Sequence, residues 1–134
     1  MQIKKNVPLV TTDKTEELKA YYCEHFGFRP VFDNGDYIAL ASADDGFEIS
    51  FMKPMGECAK LNNGEGFTLC FEVDDIDPEY ERLQKQGVQF VQPPQDNPWG
   101  DRSAIAVDPI GIGVYIYKTI PPTEEFAKHF VEKK

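Results

Sequence analysis

Histidine, cysteine and tryptophan are scarce in this chain, and long apolar runs and basic clusters are missing. The three cysteines, Cys23, Cys58 and Cys70, are scattered and odd in number, with no C-x-x-C spacing. That excludes a disulfide framework and a zinc site as organising features, and a reducing compartment is the expectation. No apolar run approaches the length of a membrane helix. The opening MQIKKNVPLV has basic residues but neither a long apolar core nor a small-residue cleavage site, so no secretory leader is read and a cytoplasmic location is expected. Lys and Arg number 14 against 23 Asp and Glu, giving a net charge of -9. Nothing offers a basic stripe to phosphates, which argues against a nucleic-acid or anionic-membrane partner. The acidic balance either serves solubility alone or steers a cationic or neutral ligand.

What is present is ordinary globular material. Of 134 residues, 41% are hydrophobic and 28% charged, enough for one domain or two small joined halves. The halves declare themselves as a repeat. GDYIALASADDGFEISFMK, from Gly35, aligns without a gap on GDRSAIAVDPIGIGVYIYK, from Gly100, 65 positions on. Gly35/Gly100, Asp36/Asp101, Ala39/Ala104, Ala41/Ala106, Gly46/Gly111 and Lys53/Lys118 are identical. Each copy is two apolar-rich runs around a turn, SADDG or DPIG, and reads as a β-hairpin.

Upstream of each hairpin a β-rich run leads into a helix. NVPLVTT precedes DKTEELKAYYCEHFGF, and GFTLCFEV precedes DDIDPEYERLQKQGVQF. Asp13, Glu16 and Glu17 mark the first helix start and Gly27 its stop. Asp77 as N-cap, Pro78 at N1 and Gly87 mark the second. A third short run, FRPVF or VQFVQ, follows each helix. The expected organisation is a βαβββ module over 1–53, a Gly- and Asn-rich linker over 54–66, a second module over 67–118, and a tail over 119–134. In the tail, Thr123, Glu124 and Glu125 open a short helix that docks on the body or on a second subunit.

Strand alternation then sorts the side chains. Ile49 and Phe51, Leu69 and Phe71, Val114 and Ile116, and Val7 and Leu9 fall on an apolar face expected to carry the helices. The other face is mixed and holds Asn6, Glu48, Ser50, Thr68, Cys70, Glu72, Tyr115 and Tyr117. Such a face is either solvated or lines a cavity with aromatic walls and a few polar groups.

Together YYCEHFGF, FEVDDID and NPWGDRSAIAVDPIG resemble the vicinal oxygen chelate superfamily, the group of glyoxalase I, extradiol dioxygenases and the fosfomycin and bleomycin resistance proteins. The segment from Pro98 to Gly111 looks most like the bleomycin-resistance branch. The resemblance implies an α+β fold in which two βαβββ modules form a cup-shaped mixed sheet with helices on the outer face, and a homodimer. It also implies a divalent metal held by His, Gln or Glu at places that fall here on Asn6, Ser50, Thr68 and Tyr115. These side chains are poor ligands for such ions. The two histidines offer no substitute: His25 sits at a helix end, where it suits the dipole, and His129 lies in the tail. A register slip would bring Glu48 or Glu72 to the site.

The resulting expectation is a metal-free protein of the bleomycin-resistance type, with no cofactor, that sequesters a planar or cationic compound. The alternatives are a metal-dependent lyase, isomerase or dioxygenase of the same superfamily, and an interaction module with a vestigial cavity. The expected ligand contacts are Trp99, Arg102, Tyr115, Tyr117, Ser50, Glu48, Tyr37, Thr68 and Asn6. Trp99 either covers the ligand or caps the core or a dimer interface. Arg102, the repeat mate of Tyr37, is expected on the same face as Tyr37, pairing with Asp101 or Glu48 or contacting an anionic group.

Overall fold

A computed structural model describes residues 1–55 and 60–131, so Cys58 lies outside the described residues. The chain divides into two compact units, Met1–Glu65 with Asp108–Gly111, and Gly66–Val107 with Ile112–Lys134. The first unit contains β1 (Leu9–Thr11), α1 (Thr15–Phe26), β2 (Arg29–Asp33), β3 (Tyr37–Ala41) and β4 (Glu48–Met52). The second contains β5 (Thr68–Glu72), α2 (Ile76–Lys85), β6 (Phe90–Asn97), β7 (Asp101–Val107), β8 (Gly113–Thr119) and α3 (Glu124–Ala127). Each sheet has four strands, in the orders β1-β4-β3-β2 and β5-β8-β7-β6. The first and last strands of each unit pair in parallel, and the remaining pairs are antiparallel. The fold is α+β. Among the described residues no helix is long and apolar enough to cross a membrane.

In the first unit the helix packs through an aromatic column. The Tyr22 ring of α1 stacks on Phe51 of β4 at 5.6 Å, and Leu18, Ile38 and Leu40 are fully buried around it. Burying each large side chain contributes about 1.5–3 kcal/mol. The Tyr22 hydroxyl donates to Asp108 Oδ2 at 2.7 Å, giving a buried carboxylate a partner. Gly27, in the left-handed region, ends α1.

Three sequence expectations are corrected here. β1 begins at Leu9, so Asn6 precedes the strand and is exposed. Within β1 it is Val10, 3% exposed, that pairs with Phe51, whereas Leu9 pairs with Ser50 and is 49% exposed. The apolar face of that strand is therefore one residue out of step with the VPL pattern. Helix α2 starts at Ile76 with Asp75 flanking it in extended conformation. Pro78 thus falls in the first turn, where its missing N–H leaves no helical bond unmade.

The third correction concerns the repeat. Ala41 pairs with Glu48, and Val107 with Gly113. The first hairpin turn therefore takes six residues (42–47) and the second five (108–112). The gapless alignment holds along β4 and β8 but slips by one along β3 and β7. Since neighbours in a strand face opposite ways, that slip reverses faces. Tyr37 lies with Ser50 and Ala39. Arg102 lies with Ala104 and Ile116 on the helix-bearing face, away from Tyr115.

Candidate functional site

On the face of the second sheet turned away from α2, β5, β8 and β7 bring Cys70, Tyr115, Tyr117, Asp101 and Ser103 together. Cys70 pairs with Tyr115, and Tyr117 with Ser103. The rings of Tyr115 and Tyr117 lie 5.9 Å apart. Above them the chain turns tightly between β6 and β7. Gly100 N–H bonds the Asn97 carbonyl at 3.1 Å, and Gly100 has φ +112, a conformation that favours glycine. The turn sets Trp99 beside Asp101.

Asp101 is the polar centre. Its Oδ2 accepts from the Tyr115 hydroxyl at 2.8 Å and from the Trp99 indole N–H at 3.0 Å. Its Oδ1 accepts from Asn97 Nδ2 at 2.7 Å. Asn97 also donates to Ser103 Oγ at 2.8 Å and accepts from Gln95 at 3.0 Å through Oδ1. Asp101, Asn97 and Ser103 are all buried. A buried carboxylate needs partners, and here three neutral donors supply them without cancelling the charge.

These groups border a cavity of about 760 Å³. Trp99, Tyr115, Tyr117 and Cys70 form part of its lining, and the tail contributes Pro122, Ala127 and Phe130. Among the described lining residues Asp101 is the one that bears a charge. The tail expected to dock either on the body or on a second subunit lies on its own unit: Thr123 N–H bonds the Pro98 carbonyl at 2.9 Å, and Phe126 meets Trp99 edge-on at 6.2 Å. Burial raises the phenols of Tyr115 and Tyr117 above the usual tyrosine range. Burial, then the charge of Asp101, raises the Cys70 thiol. A shift in this direction lowers the fraction of thiolate, the nucleophilic form. The arrangement suits stacking and cation–π contacts around one fixed negative charge.

The other expected contacts are not among the described lining residues of this cavity. Arg102 is clamped by Asp77 of α2, through Nε and Nη2 at 2.9 Å each, and by Asp96 of β6 at 3.0 Å. Its partners are thus neither Asp101 nor Glu48. Glu48 pairs with Lys5. Ser50 is 1% exposed in the first unit, and Tyr37 there meets Phe32 edge-on at 5.9 Å. Thr68 is exposed at the start of β5, and Glu72 accepts from the Thr119 hydroxyl. His25 lies against Tyr21, ring to ring at 5.4 Å. Asp101, Asn97 and Phe130 are among the members that sequence reasoning missed, as are Cys70, Ser103, Pro122 and Ala127. No sequence signal marked Asp101, because the one-residue slip that puts it on this face is seen only in the strand pairing.

The model of the Glyoxalase/Bleomycin resistance protein/Dioxygenase superfamily matches residues 6–116. The chain belongs to this superfamily. It is 36% identical to the uncharacterized protein YraH of Bacillus subtilis (strain 168), over 67% of this chain and 70% of that one. Its fold is similar to that of TnmS3, an antibiotic binding protein from Streptomyces sp. CB03234, with TM-score 0.71, 26% identity and coverage of 89% of this chain and 98% of that. It is also similar to the bleomycin resistance determinant encoded on transposon Tn5, with TM-score 0.68, 22% identity and coverage of 87% and 98%.

For a metal of the kind used by enzymes that share this fold, the donor set does not fit. The places implied for ligands hold Asn6, Ser50, Thr68 and Tyr115, none of them an imidazole or carboxylate. Asn6 is off the strand, and the Tyr115 hydroxyl is engaged as a donor to Asp101. Among the described residues no three or more His, Cys, Asp or Glu side chains are grouped as a metal site requires.

Proposed function

We propose that this superfamily member binds a flat, cationic small molecule in the cavity around Asp101 and releases it unchanged, without a metal. The observation that carries the reading is the Asp101 carboxylate, held by Tyr115, Trp99 and Asn97 and bordered by aromatic rings. Neutral donors fix its position and leave its charge for a ligand, and Trp99, Tyr115 and Tyr117 offer faces or edges to a planar body. The volume falls within the range of small-molecule sites. The antibiotic binding named for TnmS3, at 26% identity, supports a small-molecule ligand. We place Thr68 and Arg102, which belong to the same unit as the cavity, outside its ligand contacts. A cytoplasmic homodimer completes the proposal, with light scattering on the purified chain as its check.

The test is a titration of flat aromatic monocations, bleomycin-like glycopeptides and neutral isosteres, followed by Trp99 fluorescence and by calorimetry. The expected result is saturable binding of a cation that exceeds its neutral isostere by about tenfold or more, as one charge contact supplies about 1.4 kcal/mol. No saturable response from any compound in the full chain sinks the reading.

A further inference from the structure

The superfamily match stops at residue 116, yet part of the cavity wall lies beyond it. Pro122, Ala127 and Phe130 line the cavity from the tail. Backbone hydrogen bonds and a ring contact hold this segment in place. Ile120 N–H donates to the Gly100 carbonyl at 2.9 Å, Thr123 N–H donates to the Pro98 carbonyl at 2.9 Å, and Phe126 packs edge-on against Trp99. Both backbone ties reach the same tight turn that sets Trp99 beside Asp101. Wall and charge are thus positioned by one local structure.

The tail is not held there by a core of its own, because no residue of α3 is buried. Phe130 remains 66% exposed while lining the cavity, and Trp99 remains 45% exposed. Two large aromatic surfaces left open to one cavity are unfavourable in water, and a flat apolar body lying between them would cover both. A small compact cation would reach the Asp101 charge without that cover.

We infer that the segment from Ile120 to Phe130 is the selectivity wall of the site, with Phe130 reading the flat body of an organic monocation whose charge meets Asp101. The inference rests on the ligand-binding reading above. It assigns a ligand class, a single positive charge on a fused-ring body, and it assigns the discrimination to a part of the chain outside the superfamily match.

The experiment compares the full chain, Phe130→Ala, and a chain ending at Thr119. Proflavine serves as the flat monocation and tetramethylammonium as the small one, with affinities measured by calorimetry and folding checked by melting temperature. The expected result is that Phe130→Ala weakens proflavine by about tenfold while tetramethylammonium changes less than twofold, so the ratio of the two affinities falls. Shortening to Thr119 lowers that ratio further and raises acrylamide quenching of Trp99. If the shortened chain fails to fold, the Phe130→Ala ratio alone decides. An unchanged ratio in folded Phe130→Ala overturns the wall and leaves the ligand-binding reading standing. Equal loss of both cations overturns it too, because that is what a merely structural tail would give. No binding of proflavine by the full chain overturns the assigned ligand class, whereas the ligand-binding reading falls only if the whole panel is silent.

Discussion

The Tyr115 hydroxyl and the Asp101 carboxylate are joined by a hydrogen bond of 2.8 Å between two strands of one sheet. The bond ties the aromatic wall of the cavity to its charge. Asp101→Asn tests the two parts separately. The amide keeps one acceptor oxygen but puts an NH2 donor in place of the other, facing either Asn97 Nδ2 or the Trp99 and Tyr115 donors, all of which point inward. A buried donor facing donors costs about 1–3 kcal/mol. The expected outcome is a chemically less stable protein that still binds neutral flat compounds and loses cation binding by at least about tenfold. Denaturant unfolding and calorimetry measure the two effects.

Arg102 makes the opposite prediction. It faces α2 and holds Asp77 and Asp96, and it keeps the Asp77 carboxyl below the usual carboxylate range. Arg102→Ala is expected to lower the melting temperature and to leave ligand affinity within about twofold, because exposed ion pairs contribute little beyond their own neighbourhood. A large loss of affinity in a folded variant would return Arg102 to the site.

The contrast between these two neighbours shows what the sequence made legible. Repetition, helix stops at Gly27 and Gly87, and the apolar alternation of Ile49, Phe51, Val114 and Ile116 are local signals, and the modules follow from them. Tyr115, Tyr117 and Trp99 were legible for the same reason, through strand parity and a Pro-Trp-Gly turn. Asp101 was hidden because a hairpin turn shorter by one residue reverses the faces of β7 relative to β3. A gapless alignment carries no trace of that slip. Phe130 was hidden because tail docking depends on hydrogen bonds to Gly100 and Pro98, which are distant backbone groups. Asn97 reads as a turn residue, and only the fold shows its amide buried beneath Asp101.

Donor chemistry predicts the response to metals. With Ser50, Thr68 and Tyr115 at the implied ligand places, adding Ni, Zn, Mn or Fe(II) is expected to give no stoichiometric uptake and no clear rise in melting temperature. Metal analysis after gel filtration, together with thermal melts, provides the check. Uptake of one ion per chain with a raised melting temperature would move the protein to the metal-dependent class.

Alkaline pH is expected to destabilise the first unit through Tyr22. Burial foremost, then the nearby Asp108 carboxylate, raises the Tyr22 phenol far above the ordinary value of 10.0. The folded state therefore keeps this proton when the unfolded chain gives it up. Below pH 10 both states hold it and stability is unaffected. Above pH 10 the unfolded state alone ionises, so stability falls as pH rises toward the folded-state value. Tyr22→Phe is expected to flatten this fall and, by leaving Asp108 without its phenol, to cost about 1–3 kcal/mol at neutral pH. Urea unfolding at pH 7 through 11 checks both signs.

Gly100 gives the most local test of how the cavity is assembled. A Cβ there would stand 3.2 Å from the Ile120 carbonyl oxygen and 3.3 Å from Pro122 Cβ, on a backbone whose φ of +112 other residues rarely adopt. Neither neighbour is the loose end of a side chain: one is the carbonyl of Ile120, whose own N–H bonds the Gly100 carbonyl at 2.9 Å, and the other is a ring atom of the cavity wall. Gly100→Ala must therefore strain the turn or push the tail outward. A cost of about 1–3 kcal/mol is expected from the backbone alone. If the tail yields first, the Ile120 and Thr123 bonds break together and Phe130 leaves the cavity. Amide exchange at Ile120 and Thr123 would then accelerate while exchange in β7 and β8 stays slow. If the turn yields first, Trp99 moves and the Asp101 network loosens, and its fluorescence shifts without added ligand. Unchanged exchange and unchanged fluorescence in Gly100→Ala would mean that turn and tail are positioned independently, contrary to the packing seen between them.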